Sequence, residues 1–108
     1  MRGLAAIGLV CAMFILPVAT ATAAEQHTIS QKKKRFDPKL LEAKVGDSVV
    51  FINDDRYAHN LFSETPGFEF NVRKQMPGDR HAIKLEKAGT IQIRCVIHPR
   101  MKMTINVE

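Results

Sequence analysis

The chain has 108 residues, of which 45% are hydrophobic and 25% charged, and its formal net charge is +5. This length is enough for one small domain and excludes a chain of several domains. One Tyr and no Trp accompany the basic residues, so nucleic-acid binding is a poor explanation of the charge. The mild positive excess instead favours an acidic protein partner attracted by long-range charge.

The first 24 residues have the features of a secretory signal peptide. Arg2 provides a positive start, residues 4–18 form an apolar run, and residues 21–24 are small, as at a cleavage site. The apolar run is short for a membrane span of about 20 residues. We therefore predict cleavage near Ala24, export to the periplasm, and a domain of residues 25–108 that has no membrane attachment.

Short apolar-alternating runs separated by turn residues occupy the rest of the chain, and no segment has helical periodicity. Residues 49–52 are continuously apolar, as expected for a strand that is covered on both faces. The predicted strands cover residues 27–36, 40–44, 48–53, 59–62, 68–74, 81–86, 90–95 and 102–107. The pattern predicts an all-β fold, a Greek-key β-sandwich of about eight strands.

Removal of the first 24 residues leaves 84 residues, a net charge of +4 and a single cysteine, Cys95. An internal disulfide is then excluded, although small secreted domains usually need a disulfide or a metal. A lone exported cysteine is a dimerising thiol, a chance survivor or a metal ligand. A buried core thiol is the plainest alternative. The presence of His98 three residues later favours the metal ligand.

Residues 95–101 place a thiolate, an imidazole and a thioether in one short segment, as Cys95, His98 and Met101. His59 adds a second imidazole from a distant loop. Two nitrogens, one sulfur and a weak axial thioether are the ligands of a trigonal blue-copper site. A zinc site formed by His59, His81, Cys95 and His98 is an alternative, but the methionine argues against it.

The chain resembles the cupredoxins, the blue-copper family of plastocyanin and amicyanin, and most of all its small periplasmic methylamine-utilisation-type members. Residues 95–101 are similar to the short C-x-x-H-x-x-M loop of amicyanin, residues 59–60 to the family's His-Asn pair, and residues 44–49 to its K-x-G-D-x-V turn. Three positions depart from the family pattern. Ile93 replaces an aromatic residue, Val96 a Ser or Thr that bonds the Asn, and Ala58 a Pro.

The resemblance implies one type 1 copper ion held by His59, Cys95 and His98, with Met101 as the axial ligand. Met103 is the competing axial candidate, although core packing is its expected role. Asn60 is expected to tie the two ligand loops together, but Val96 leaves the partner of its side chain in doubt. His27 is expected to be solvated.

The implied function is electron transfer by a monomeric non-enzyme that cycles between Cu(I) and Cu(II). Copper trafficking or tolerance on the same fold is the alternative, and a domain that has lost its metal is a third reading. Arg100 and Lys102 flank His98 and are expected to steer a redox partner with an acidic docking surface. The basic run of residues 32–35 is expected to be a solvated strand edge.

Overall fold

The computed structural model describes residues 3, 5–18 and 23–108. The described residues contain nine strands and no helix. In chain order the strands are β1 (Gln26–Lys32), β2 (Arg35–Asp37), β3 (Leu40–Ala43), β4 (Ser48–Asn53), β5 (His59–Ser63), β6 (Phe70–Gln75), β7 (Arg80–Lys84), β8 (Gly89–Cys95) and β9 (Lys102–Val107).

The ninth strand arises because the predicted first strand, residues 27–36, is two strands. Lys33 and Lys34 both have positive φ, 53° and 55°, and form a two-residue turn between the paired residues Lys32 and Arg35. Positive φ at both central residues is the geometry of a type I′ hairpin turn. The prediction was wrong here because neither lysine is a residue that signals this turn.

The strands form two sheets, as the sequence predicts. One sheet has the order β2-β1-β4-β7 and the other the order β3-β9-β8-β5-β6. Most neighbours are antiparallel, but β1 pairs with β4 and β3 with β9 in parallel. The all-β sandwich is therefore confirmed.

The core lies between the two sheets and is built by alternating side chains. In β8 every second residue is buried, which places Ile91, Ile93 and Cys95 on one inner face. Phe51 of β4 and Ile105 of β9 are fully buried against this cluster. Because Cys95 continues the apolar face of its strand, its thiol points inward at the end of the sandwich.

The predicted signal peptide lies partly outside the described residues, which omit positions 1, 2, 4 and 19–22. Residues 5–18 are exposed and belong to no strand or helix. No described helix is long and apolar enough to cross a membrane. Cleavage near Ala24 stays a prediction.

Candidate metal centre

The two sheet-borne donors meet because β5 and β8 are neighbours. His59 is the first residue of β5, Cys95 is the last residue of β8, and Leu61 pairs with Cys95. His59 is 0% and Cys95 1% exposed. The strand pairing therefore fixes a thiol and an imidazole, separated by 36 positions in sequence, at one end of the sandwich.

The third donor lies on the loop between β8 and β9. Two backbone hydrogen bonds close this loop: Met101 N–H donates to the His98 carbonyl at 2.8 Å, and Cys95 N–H donates to the Met101 carbonyl at 3.1 Å. Pro99 cannot donate a backbone hydrogen bond and keeps the segment from continuing as a strand. The His98 ring consequently turns back toward Cys95 while staying partly exposed.

The three donor atoms form a nearly symmetrical triangle. The Nδ1 atoms of His59 and His98 are 3.2 Å apart, and each lies 3.8 Å from the Cys95 Sγ. From these sides, the point equidistant from all three atoms is about 2.1 Å from each, which is the length of a bond from a metal ion to nitrogen or thiolate. The spacing therefore suits one metal ion near the plane of the donors.

The two candidate axial methionines and His81 have different surroundings. Met101 is buried and closes the same loop, and Met103 is buried in β9 opposite Ile93. His81 is exposed on β7, whereas the metal-binding group among the described residues consists of His59, Cys95 and His98. The four-ligand zinc alternative that included His81 is therefore not formed.

Asn60 connects the two ligand segments through its backbone. Its N–H lies 3.3 Å from the Cys95 Sγ, and its carbonyl accepts a hydrogen bond from Val96 N–H at 3.1 Å. An N–H directed at the sulfur stabilises the thiolate form that binds metal. The Asn60 Oδ1 is buried and has no hydrogen-bond partner among the described residues. This is the consequence expected from Val96, which cannot donate from its side chain.

Asp55 orients the buried histidine. Its Oδ2 lies 3.1 Å from His59 Nε2 and also accepts a hydrogen bond from Lys34 N–H at 2.8 Å. Burial tends to raise the pKa of Asp55, but hydrogen bonds from Lys34, His59 and Arg56 outweigh it and hold the pKa below its ordinary value. An ionised carboxylate can only accept, so Nε2 of His59 carries the proton and Nδ1 keeps a free lone pair for a metal.

Asn53 holds the loop that carries Asp55. Its side chain accepts from Asp55 N–H at 2.9 Å and donates to the carbonyls of Tyr57 and Gln75 at 2.8 and 2.9 Å. Asn53 is 1% exposed, so these bonds are shielded from water. Three hydrogen bonds from this one side chain therefore hold the loop against the end of β6.

His98 faces the protein surface beside Tyr57. The two rings meet edge to face, with centroids 6.4 Å apart. Desolvation lowers the pKa of His98, and the nearby His59 and Lys34 lower it further, while Asp55 acts in the opposite direction. The neutral imidazole favoured by these neighbours is the form that binds a metal.

Asp55 and Asn53 were missed by the sequence analysis, which treated residues 53–56 as an ordinary polar loop. Asp55 stands four residues before His59 in the sequence, but an acidic residue in a polar loop looks solvated from the sequence alone. One expectation also needs correction, because His27 Nε2 lies 2.9 Å from Asp47 Oδ2 rather than being solvated. Residues 32–35 are exposed as expected, and Lys33 and Lys34 form the turn of the edge hairpin.

Comparison with known proteins identifies the relatives of this fold. Residues 4–107 match the family described as cupredoxin-like domain. The methylamine utilization protein MauL of Methylorubrum extorquens is 30% identical over 90 residues, covering 82% of this chain and 79% of that protein. Amicyanin-alpha of the same organism is 30% identical over 79 residues, covering 70% of this chain and 66% of that protein. A solved reduced amicyanin mutant shares the fold, with a TM-score of 0.73, 23% identity and coverage of 77% of this chain and 82% of that chain.

The donor chemistry and the family agree on one copper ion. Two imidazoles and a thiolate in a trigonal arrangement suit copper, and the triangle of His59, Cys95 and His98 has the dimensions for a single ion. The match covers almost the whole chain. This protein belongs to the cupredoxin-like domain family, with a copper site at the end of its β-sandwich.

Proposed function

We propose that this protein is a type 1 copper protein of the periplasm that carries single electrons between redox partners and catalyses no reaction of its own. The main support for this proposal is the triangle formed by the donor atoms of His59, Cys95 and His98. Its sides of 3.2, 3.8 and 3.8 Å suit one metal ion, and backbone hydrogen bonds close the loop that carries His98. Bound copper would accept one electron as Cu(II) and give it up as Cu(I).

The surrounding residues limit rearrangement between the two states. His59 is buried and hydrogen-bonded to Asp55, and the Cys95 sulfur faces the Asn60 N–H. The short loop of residues 95–101 is closed by its own backbone bonds. Because these donors have little freedom to move, a change in copper charge would cost little reorganisation. The partly exposed His98 gives a short route for electrons to the surface.

We assign Met101 as the weak axial ligand. It is 1% exposed and its backbone is bonded to both Cys95 and His98. Met103 lies two residues further, inside β9 and opposite Ile93, rather than on the ligand loop. Both methionine side chains belong to the buried core cluster, so the assignment depends on the loop position of Met101. A thioether in the axial position tunes the reduction potential.

The redox partner is proposed to present an acidic surface, and the protein to act as a monomer after its signal peptide is cleaved near Ala24. Arg100 and Lys102 are exposed on either side of Met101, close to His98. Long-range attraction between a cationic rim and an acidic partner would raise the rate of encounter.

The first experiment adds Cu(II) to the processed protein and records the visible spectrum. An intense thiolate-to-copper band is expected, and both Cys95→Ser and His59→Ala should abolish it. His81→Ala serves as the control, because this exposed histidine lies outside the site, and it should keep the band. A colourless wild-type protein would exclude the type 1 site.

A second measurement separates electron transfer from copper trafficking. The copper-loaded protein is reduced and reoxidised repeatedly, and the metal content is measured after each cycle in the presence of a Cu(I) chelator. Retained copper with rapid, reversible cycling is expected for a carrier. Rapid loss of Cu(I) to the chelator would favour trafficking instead.

A further inference from the structure

The tip of the β1–β2 hairpin is strongly basic, and the backbone of its two turn residues has an unfavourable conformation. Residues 32–35 are all basic and all exposed. Lys33 and Lys34 form the turn with positive φ, where Asn and Gly are the favoured residues. A left-handed conformation is unfavourable for a non-glycine residue because Cβ approaches the following carbonyl oxygen. Asn-Gly at positions 33 and 34 would therefore form a more stable turn than the two lysines, which instead add positive charge there.

The β1–β2 hairpin contacts the residues around the copper site through a hydrogen bond and an aromatic ring. Lys34 N–H donates to Asp55 Oδ2, the same oxygen that contacts His59 Nε2. The Lys34 Nζ lies 4.6 Å from the centroid of the Tyr57 ring, and this ring packs edge to face against His98. These contacts fix the hairpin beside the exposed edge of the copper ligand.

A groove of about 540 Å³ runs between the hairpin and the ligand loop. His98 and Met101 line it, and five cationic side chains from three separate segments surround them: Lys34, Arg35, Lys39, Arg100 and Lys102. None of the residues that line the groove is acidic. The loop beside it exposes Val96 and Ile97, at 56% and 52%. An apolar centre with a charged rim is the usual composition of a transient interface.

We propose that the hairpin and the ligand loop together form a docking groove for an acidic segment of the redox partner, with the carboxylates of that segment contacting the five cations. The groove extends the expected rim of Arg100 and Lys102 to a hairpin on the opposite sheet. This inference rests on the proposed electron-carrier function, because it assigns the groove to the partner that exchanges electrons through His98.

The test compares two variants with the same change in charge. Lys34→Glu/Arg35→Glu reverses the charge of the hairpin wall. Lys44→Glu/Lys84→Glu is the control, because Lys84 pairs with Ser48 at the start of β4, the strand end opposite the copper site, and Lys44 is exposed nearby. Both variants should keep the visible copper band, which shows that they are folded. If the hairpin variant does not fold, Lys39→Glu/Lys102→Glu reverses the same groove from its other walls.

The reduced protein is oxidised by hexacyanoferrate(III), an anion, in a stopped-flow experiment at low salt. One electron leaves Cu(I) and reduces Fe(III) to Fe(II), so no proton or further reagent is needed. The hairpin variant should react about fivefold more slowly than the control variant, and the difference should shrink as salt increases. With the cationic oxidant tris(1,10-phenanthroline)cobalt(III), the hairpin variant should instead be the faster one.

Binding of hexaglutamate to the Cu(I) protein, followed by NMR, tests the location of the groove. Amide shifts should concentrate at residues 32–35, 39 and 97–102, and the hairpin variant should bind at least about fivefold more weakly than the control. Equal rates and equal binding for the two variants, or shifts centred elsewhere, would overturn the docking groove. A protein that forms no blue site, or reacts with neither oxidant, would instead refute the proposed electron-carrier function.

Discussion

Replacement of Asp55 by alanine should weaken copper binding without removing a ligand. Asp55 contacts His59 at Nε2 and fixes which ring nitrogen is free for the metal. Without the carboxylate, the ring can rotate, and the proton can move to the nitrogen that should bind copper. The Lys34 and Arg56 N–H groups also lose their acceptor.

The expected loss of copper affinity in Asp55→Ala follows from the position of the carboxylate. Asp55 contacts a ligand rather than the metal, and removal of such a partner typically lowers metal affinity about 10- to 100-fold. This corresponds to about 1.4–2.7 kcal/mol of binding free energy. His59 is fully buried, so water cannot readily replace the lost carboxylate. The loss should therefore lie in the upper part of this range.

The assay is competition for Cu(I) between the protein and a chromophoric chelator. Asp54→Ala is the matched control, because Asp54 is the adjacent carboxylate, is exposed, and bonds only Ser30 among side chains of the described residues. Its affinity should stay within about threefold of wild type, since surface substitutions rarely change energies by more than about 0.5 kcal/mol. Equal affinities for the two variants would refute the orienting role of Asp55.

Three further predictions concern other contacts. Val96→Thr should stabilise the protein by about 0.5–1.5 kcal/mol, because the new hydroxyl can donate to the buried Asn60 Oδ1, which has no partner among the described residues. Thermal unfolding compares this variant with Val96→Ala, and equal stability of the two variants would contradict the prediction. Hydrogen bonds, first from Glu25 N–H and then from His27, lower the pKa of Asp47 from 3.8 to about 2. Its ionised form therefore stabilises the fold above about pH 4, and this contribution is lost as the pH falls toward 2. Urea unfolding of the metal-free protein should show Asp47→Asn as less stable at pH 7, with the difference disappearing by about pH 2. Met101→Leu should shift the visible spectrum and reduction potential while Met103→Leu leaves both unchanged, and the reverse result would exchange their roles.

The strands and two of the donors, Cys95 and His98, could be predicted because each depends on a local pattern. Side chains alternate between the two faces of a strand, so Ile91, Ile93 and Cys95 lie on one face of β8 independently of the rest of the fold. Pro99 and the short spacing from Cys95 to His98 restrict the loop to conformations that return toward the sulfur. His59 needed a long-range assumption, namely that loops of a sandwich gather at one end, and the pairing of β5 with β8 satisfies it.

The hairpin turn and Asp55 could not be predicted, because their causes are not local. Lys33 and Lys34 have no intrinsic preference for positive φ, and their conformation is supported by an acceptor that lies 21 residues away in sequence, the Asp55 carboxylate. Asp55 itself stands in a loop where any acidic residue would look solvated. Its role becomes visible only when β1 and β5 bring the hairpin and His59 to the same oxygen.

That shared oxygen also determines how the docking groove and the copper site should respond to mutation. Asp55 accepts from the backbone N–H of Lys34, so a change of the Lys34 side chain leaves this bond available. Charge reversal at the hairpin should therefore alter encounter with anions while the ligand geometry persists. Removal of the carboxylate instead takes the acceptor from both the hairpin backbone and His59. The two classes of variant separate electrostatic recognition at the surface from the orientation of the copper ligand beneath it.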